Sequence, residues 1–327
     1  MRRITVLSCL IIMFTVSFIH CQSLPQSDPP AVDSPGRQAG NFRKTGTIAS
    51  DRLVECSGID MSMIRDDLLW AINDSGDGPY LYAMGIDGSD RGQVRIAGAV
   101  NRDWEDLATF KWQDRAMILV ADVGDNRQRY GLYRLYIVEE PVFSRTTVSS
   151  AADANVAWTV TFRYPDRNHD AEAVGVDPTN GQILVLTKRD TPPLLFSLPL
   201  KPENPAEPVV ARPVAAMDRI PAPTSDDLFY PYGQFRSQPT AMDLSPDGLK
   251  MVILTYKHAY LFDRTTADSW QSIPTPTVIP LPLPQDTPFF AQREAACFSR
   301  AAAGLFITAE ALHAVIYHSD IAIRQET

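Results

Sequence analysis

From residue 45 to residue 320 the chain alternates short apolar runs with clusters of Gly, Pro, Asp, Asn and Ser. The runs are four to seven residues long, and beyond residue 23 no stripe of helical period exceeds two turns. Runs of this length between turn residues read as strands. The clearest pair is 107–112 and 116–121, separated by Gln113-Asp114-Arg115. A hairpin returns the chain to its start, so the residue opening one strand and the residue closing the next share one end of the sheet. Here those residues are Glu105, in Asp103-Trp104-Glu105-Asp106, and Asp122, in Asp122-Val123-Gly124-Asp125-Asn126.

The same layout recurs. Glu55 leads through two apolar runs to Asn73-Asp74, Glu172 to Lys188, Thr240 to Tyr256 and Glu294 to Glu310, with spacings of 16 to 18 residues. Further strands follow each unit at 81–84 and 93–96, 132–137 and 158–162, 194–198, and 259–262 and 278–281. The last unit has only 295–298, 305–309 and 314–318, while 45–49 stands before the first with nothing preceding it to pair with. A spare strand at one end and a missing strand at the other predict a closed ring without unprotected edges. The expected fold is all-β: a β-propeller of five blades with four antiparallel strands each, closed by an N-terminal strand joining the last blade. The Pro-rich passage 199–239 holds too few strand runs for a sixth blade. Its centre, 221–235, reads as a long surface loop.

Composition narrows the partners. The 39 acidic residues outnumber the 30 basic ones, a net charge of −9, which argues against nucleic acid and suits divalent cations. Residues 1–23 read as an export signal, with Arg2 and Arg3 before an apolar core shorter than the ~20 residues of a membrane span. Cys21 at −3 and Ser23 at −1 are small enough to serve for cleavage. Lipidation of Cys21 is the alternative, disfavoured by His20 before it, and is the one membrane contact foreseen. Residues 24–41 read as a disordered tether and 42–327 as the propeller, in the periplasm or outside the cell. Cys56 and Cys297 sit on equivalent strands facing the same way, so free buried thiols are expected rather than a disulfide.

In a propeller the first strand of each blade lines the central channel. Glu55, Glu105, Glu172 and Glu294 would then ring one mouth, with Asp74, Asp122 and Glu310 beside them. Clustered carboxylates raise each other's pKa and call for a cation, a basic neighbour or protonation. Lys188 is one basic neighbour, placed to neutralise Glu172 or to meet an anionic ligand. For the rest, an oxygen-rich ring with Asn73, Asp125 and Asn126 nearby suits Ca²⁺. The plainer reading is that such residues cap turns, which covers Asp77, Asp87-Gly88 and Asp247-Gly248. An EF-hand loop starting at Asn73 is excluded because Met84 occupies its twelfth position. Trp104 reads as packing. No Gly-x-Ser-x-Gly, His-Glu-x-x-His or phosphate-binding Gly-Lys loop occurs. His169 alone among the histidines after the signal lies beside the acids in sequence, as a proton carrier, an anion contact or a solvated loop residue.

Glu55-x-Ser57-Gly58, Asn73-Asp74-Ser75-Gly76-Asp77, Asp103-Trp104-Glu105-Asp106, Asp122-Val123-Gly124-Asp125-Asn126, His169-Asp170-Ala171-Glu172 and Ser245-Pro246-Asp247-Gly248 together resemble a family of exported bacterial β-propellers. The blades are more distantly similar to esterase-like phytase propellers and calcium-activated nucleotidases. That resemblance implies Glu105, Glu172 and Glu294 as metal ligands and a phosphoester as substrate. Thr240 and Lys188 depart from an all-acid ring. Two functional expectations follow. One is an exported module that binds a small-molecule, phosphorylated or protein ligand, with Ca²⁺ tying its blades together. The other is a metal-dependent phosphoesterase in which Lys188 holds phosphoryl charge and Glu105 or His169 moves protons.

Overall fold

The computed structural model describes residues 42–142, 153–264, 270–281 and 292–321. The expected signal and tether, 1–23 and 24–41, lie outside the described residues. Within them the protein is all-β, apart from a five-residue helix α1 (Ser225–Phe229) and a 3-10 turn at Gly233–Phe235. No helix among the described residues is long and apolar enough to cross a membrane.

The strands fall into antiparallel meanders of four. The first comprises β2 (Cys56–Met61), β3 (Leu68–Asn73), β4 (Tyr80–Gly85) and β5 (Asp90–Ala97), preceded by β1 (Arg43–Thr47). The second comprises β6 (Trp104–Trp112), β7 (Arg115–Asp122), β8 (Tyr133–Glu139) and β9 (Ala154–Arg163). A short parallel bridge joins these two, Ile96 and Ala97 of β5 against Ala154 and Asn155 of β9. Next come β10 (Ala171–Asp177), β11 (Gln182–Thr187), β12 (Leu194–Pro199) and β14 (Arg212–Ala216), while β13 (Val209–Val210) pairs with β9. A fourth sheet holds β15 (Pro239–Leu244), β16 (Lys250–Thr255), β17 (His258–Asp263) and β18 (Thr277–Pro280). The last holds β19 (Ala295–Phe298), β20 (Gly304–Thr308) and β21 (Val315–Asp320). The N-terminal β1 completes it, antiparallel to β21.

The first strands touch in cyclic order: β2 with β6, β6 with β10, β10 with β15, β15 with β19, and β19 with β2. Squeezed between neighbours, they favour small residues. A Cβ on Gly58 would lie 2.9 Å from Asp106 Cα, so only glycine lets β2 approach β6 this closely. Apolar clusters fill the gaps between successive sheets, as where Trp70 and Ile72 meet Ile118 and Val120. Cys56 and Cys297 share one such cluster as buried free thiols.

Carboxylates also bind the first strands to one another. Asp60 Oδ2 accepts from Thr109 N at 2.5 Å, and Asp243 Oδ2 from Phe298 N at 2.7 Å. Asp106 Oδ2 accepts from Val174 N at 2.9 Å and Met242 N at 3.3 Å. All three side chains are buried. Burial pushes their pKa values up, Asp243 to about 7, while the backbone donors pull them back. These carboxylates thus accept from backbone N–H groups of neighbouring first strands.

Candidate metal centre

Four of the first strands begin with a register shift against the returning strand: Cys56/Gly58, Trp104/Asp106, Ala171/Ala173 and Pro239/Ala241. The extra residues are Ser57, Glu105, Glu172 and Thr240. Such bulges re-aim a side chain at the end of a sheet. The register revises the alignment read from the sequence. Ser57, not Glu55, occupies the position of Glu105, and its hydroxyl donates to Trp104 O at 3.0 Å. Glu55 lies before β2 and is exposed.

Around the Glu105 bulge three carboxylates converge. Oxygens of Asp74, Asp103 and Glu105 all lie within 4.8 Å of one another. Each is fixed by its own segment. Asp74 N donates to Glu55 O at 2.9 Å, and Asn101 Nδ2 donates to Asp74 O at 2.9 Å. Asn73 secures the same turn by accepting from Val54 N and Glu55 N and donating to Arg52 O and Asp77. Asp103 N donates to Asp122 Oδ1 at 2.9 Å. Gly124 lies directly against the cluster: a Cβ there would fall 2.1 Å from Glu105 Oε1 and 2.7 Å from Asp103 Cγ. Its missing side chain is what lets these two acids come together.

The electrostatics match the geometry. Burial pushes Asp103 up to about 6, reinforced by Asp74, Asp170 and Asp122 and opposed by Arg102. Burial drives Glu105 well above the carboxylate range, with Glu172 and Asp74 adding to it, and raises Asp74 too. Among the described residues no Lys or Arg forms an ion pair with any of the three. Ca²⁺–oxygen bonds of roughly 2.3–2.6 Å place two ligands on one ion up to about 5 Å apart. Asp74, Asp103 and Glu105 therefore fit a hard divalent cation in donor type and spacing.

A second group adjoins them. Lys188 Nζ donates to Glu172, and both side chains are more than nine-tenths buried. Burial works against the Lys188 charge, but Glu172, Tyr256, Glu294 and Glu105 outweigh it, so Lys188 holds its proton, while burial pushes Glu172 up to about 8 against the pull of Lys188. Lys188 Nζ stands 5.4 Å from the centre of the Tyr256 ring, and Tyr256 Oη donates to Glu294 Oε1 at 2.5 Å. Glu310 is pushed up to about 9 by burial and by its hydrogen bond with Glu294, and it accepts from Gln292 Nε2 at 2.7 Å. Lys188 and the Tyr256 phenol thus stand among these acids, while Lys188 and Arg102 act on the Asp74 group without forming an ion pair with it.

The other expected site residues have different work. Asp122 accepts from Arg102 N and Asp103 N and lies 3.6 Å from the Arg102 guanidinium, so it holds the Asp103 segment. Asp125 accepts from Arg129 N, Tyr130 N and Tyr133 Oη, and Asn126 from Arg189. His169 is fully buried between Asp190 at 2.8 Å and Asp166 at 3.1 Å, packed on Tyr164 and Phe196. Burial alone would depress its pKa; the two carboxylates raise it. Both ring nitrogens are thus occupied by acids outside the cluster. Thr240 Oγ1 donates to Arg293 O at 2.7 Å. Asp103 is the member that sequence reading passed over, though it opens the same motif as Glu105.

Neither a protein-family model nor a curated protein sequence matches the chain. Among solved structures, a crystal structure of a nidogen/laminin complex aligns with 79% of this chain and 73% of its own, at 10% identity and a TM-score of 0.40. A likeness of that size bears on neither ligand nor activity.

Proposed function

We propose that the chain is an exported five-bladed β-propeller that binds a ligand or partner around a Ca²⁺-type site at one mouth of its central channel. The meanders of four strands, the cyclic contacts of β2, β6, β10, β15 and β19, and the closure of the last sheet by β1 support the propeller reading. The observation that carries the site is the convergence of Asp74, Asp103 and Glu105 without an ion-paired Lys or Arg among the described residues. Asp74, Asp103 and Glu105 hold the ion, and Glu172, Glu294 and Glu310 form the adjoining wall. Isothermal titration with calcium tests this. The wild type gives a one-to-one isotherm, and Asp103→Asn with Glu105→Gln abolishes it; equal binding by that variant would sink the site.

A metal-dependent phosphoesterase is the second reading, favoured by the Lys188 ammonium beside the acids. A bound cation would polarise the phosphoryl oxygen. Lys188 would contribute positive charge while remaining tied to Glu172, and Glu310 would hold a proton within the same wall. Its test is calcium-dependent hydrolysis of phosphoesters that Glu105→Gln removes while the fold persists.

A further inference from the structure

At the end of the sheets opposite the acid cluster, the β2–β3 turn and the chain leaving β8 border a groove of about 470 Å³. That is the size of sites for small organic molecules. Its turn wall is preformed. Ser62 N donates to Leu68 O at 3.0 Å, and Ser62 Oγ accepts from Ile64 N at 3.1 Å and Arg65 N at 2.9 Å. On the other wall Glu140 N donates to Ala116 O at 2.9 Å. Ile64, Pro141 and Val142 give the groove apolar sides.

Glu140 also lines the groove and is only 2% exposed. Ser62 Oγ and Trp70 Nε1, the latter at 3.0 Å, donate to its Oε1, and Met63 N donates to Oε2 at 2.9 Å. A buried charge calls for a counter-ion as well as hydrogen bonds. Among the described residues Glu140 forms no ion pair. Arg65, the one cation lining the groove, is committed to Asp67 through Nε at 2.9 Å and Nη2 at 2.8 Å. The lining therefore carries Asp67 and Glu140 against Arg65, one negative charge in excess. An organic guest with a single positive charge balances it, and an anion would meet the Glu140 carboxylate without a cation between them.

We propose that this groove binds a small organic amine, one ammonium on a compact apolar body. The ammonium donates to Glu140 Oε2, which has one donor where Oε1 has two. The apolar body lies against Ile64, Pro141 and Val142. The sheets separate this groove from the acid cluster, so the proposal is independent of the metal reading.

The test is isothermal titration of the full chain with cyclohexylamine, in chelator so that no divalent ion takes part. Cyclohexanol and cyclohexanecarboxylate are the neutral and anionic controls. The amine should bind one-to-one at millimolar concentration or below, and neither control should bind. Glu140→Gln should abolish binding. That change also touches Ser62, Met63 and Trp70, so Val142→Arg is the second variant. Val142 is 79% exposed, and a guanidinium there sets a like charge at the rim without disturbing the core. Affinity should fall at least ~tenfold, while far-UV circular dichroism and melting temperature stay unchanged. Absence of amine binding overturns the proposal. Equal binding of cyclohexanol does so too, because volume rather than charge would then select the guest. Unchanged affinity in Val142→Arg would place the amine elsewhere and likewise refute it.

Discussion

Gly124→Ala separates binding from folding at the acid cluster. The added methyl would lie 2.1 Å from Glu105 Oε1 and 2.7 Å from Asp103 Cγ, where ordinary contacts begin at 3.4 Å. The Glu105 oxygen must therefore retreat by about 1.3 Å and the Asp103 carboxylate by about 0.7 Å, each several times the ~0.2 Å tolerance of a metal–ligand distance. The backbone itself is not strained, since Gly124 is absent from the left-handed region. Both clashing groups are the ends of side chains, so the metal-free protein should lose only about 0–2 kcal/mol, partly offset by reduced freedom in the unfolded chain. In the wild type, calcium at 100 times its dissociation constant adds about 2.7 kcal/mol, roughly 5–10 °C for a domain of this size. The assay is thermal unfolding of both proteins with chelator and with excess calcium. The variant should melt within a few degrees of the wild type in chelator and gain almost nothing from calcium. A full calcium-dependent shift in Gly124→Ala would refute the reasoning, because two of the three proposed ligands cannot stay in place beside that methyl.

Three further outcomes follow from the same geometry. Lys188→Met leaves the Glu172 carboxylate buried without its cation and should destabilise by about 3–5 kcal/mol in denaturant titration; adding Glu172→Gln should recover much of that, and additive losses would contradict the pairing. Asp106→Ala strips Val174 N and Met242 N of their acceptor and should cost about 2–5 kcal/mol, whereas a loss under 1 kcal/mol would show that the strands do not depend on it. Metal-free stability should fall as pH rises. Folded Asp103 and Glu310 keep protons up to about 6 and 9, against ordinary values of 3.8 and 4.5, so between these limits the folded state binds more protons and deprotonation favours unfolding. Melting temperatures in chelator from pH 5 to pH 9 check this, and the calcium-induced increment should grow over the same range as the ligands ionise.

Much of the architecture was legible because strand-turn-strand periodicity is a local signal. The hairpins opening at Trp104, Ala171 and Ala295 were all visible, as was the spare N-terminal strand that now pairs with β21. β14 was not, since Arg212-Pro213-Val214-Ala215-Ala216 has neither length nor alternation to mark it within a Pro-rich passage. The site was legible only in part. Spacing equates Glu55 with Glu105, but a bulge adds one residue without changing the hydrophobic pattern, and it puts Ser57 in that position. The role of Gly124 depends on how closely Asp103 and Glu105 approach, which no spacing reports. Asp60, Asp106 and Asp243 looked like ordinary strand residues, because their partners are backbone groups of strands distant in sequence. Acids at inward positions of otherwise apolar strands were the available clue. His169 showed the converse: adjacent to Glu172 in sequence, its ring is spent on Asp166 and Asp190.

The most direct test of the central claim is a calcium titration of the wild-type protein followed by unfolding temperature, starting from chelator and repeated with magnesium. A saturable rise with calcium, lost in Asp103→Asn with Glu105→Gln, is the predicted result. A melting temperature that ignores every divalent ion would contradict the account, and would leave Asp74, Asp103 and Glu105 as a cluster stabilised by shared protons.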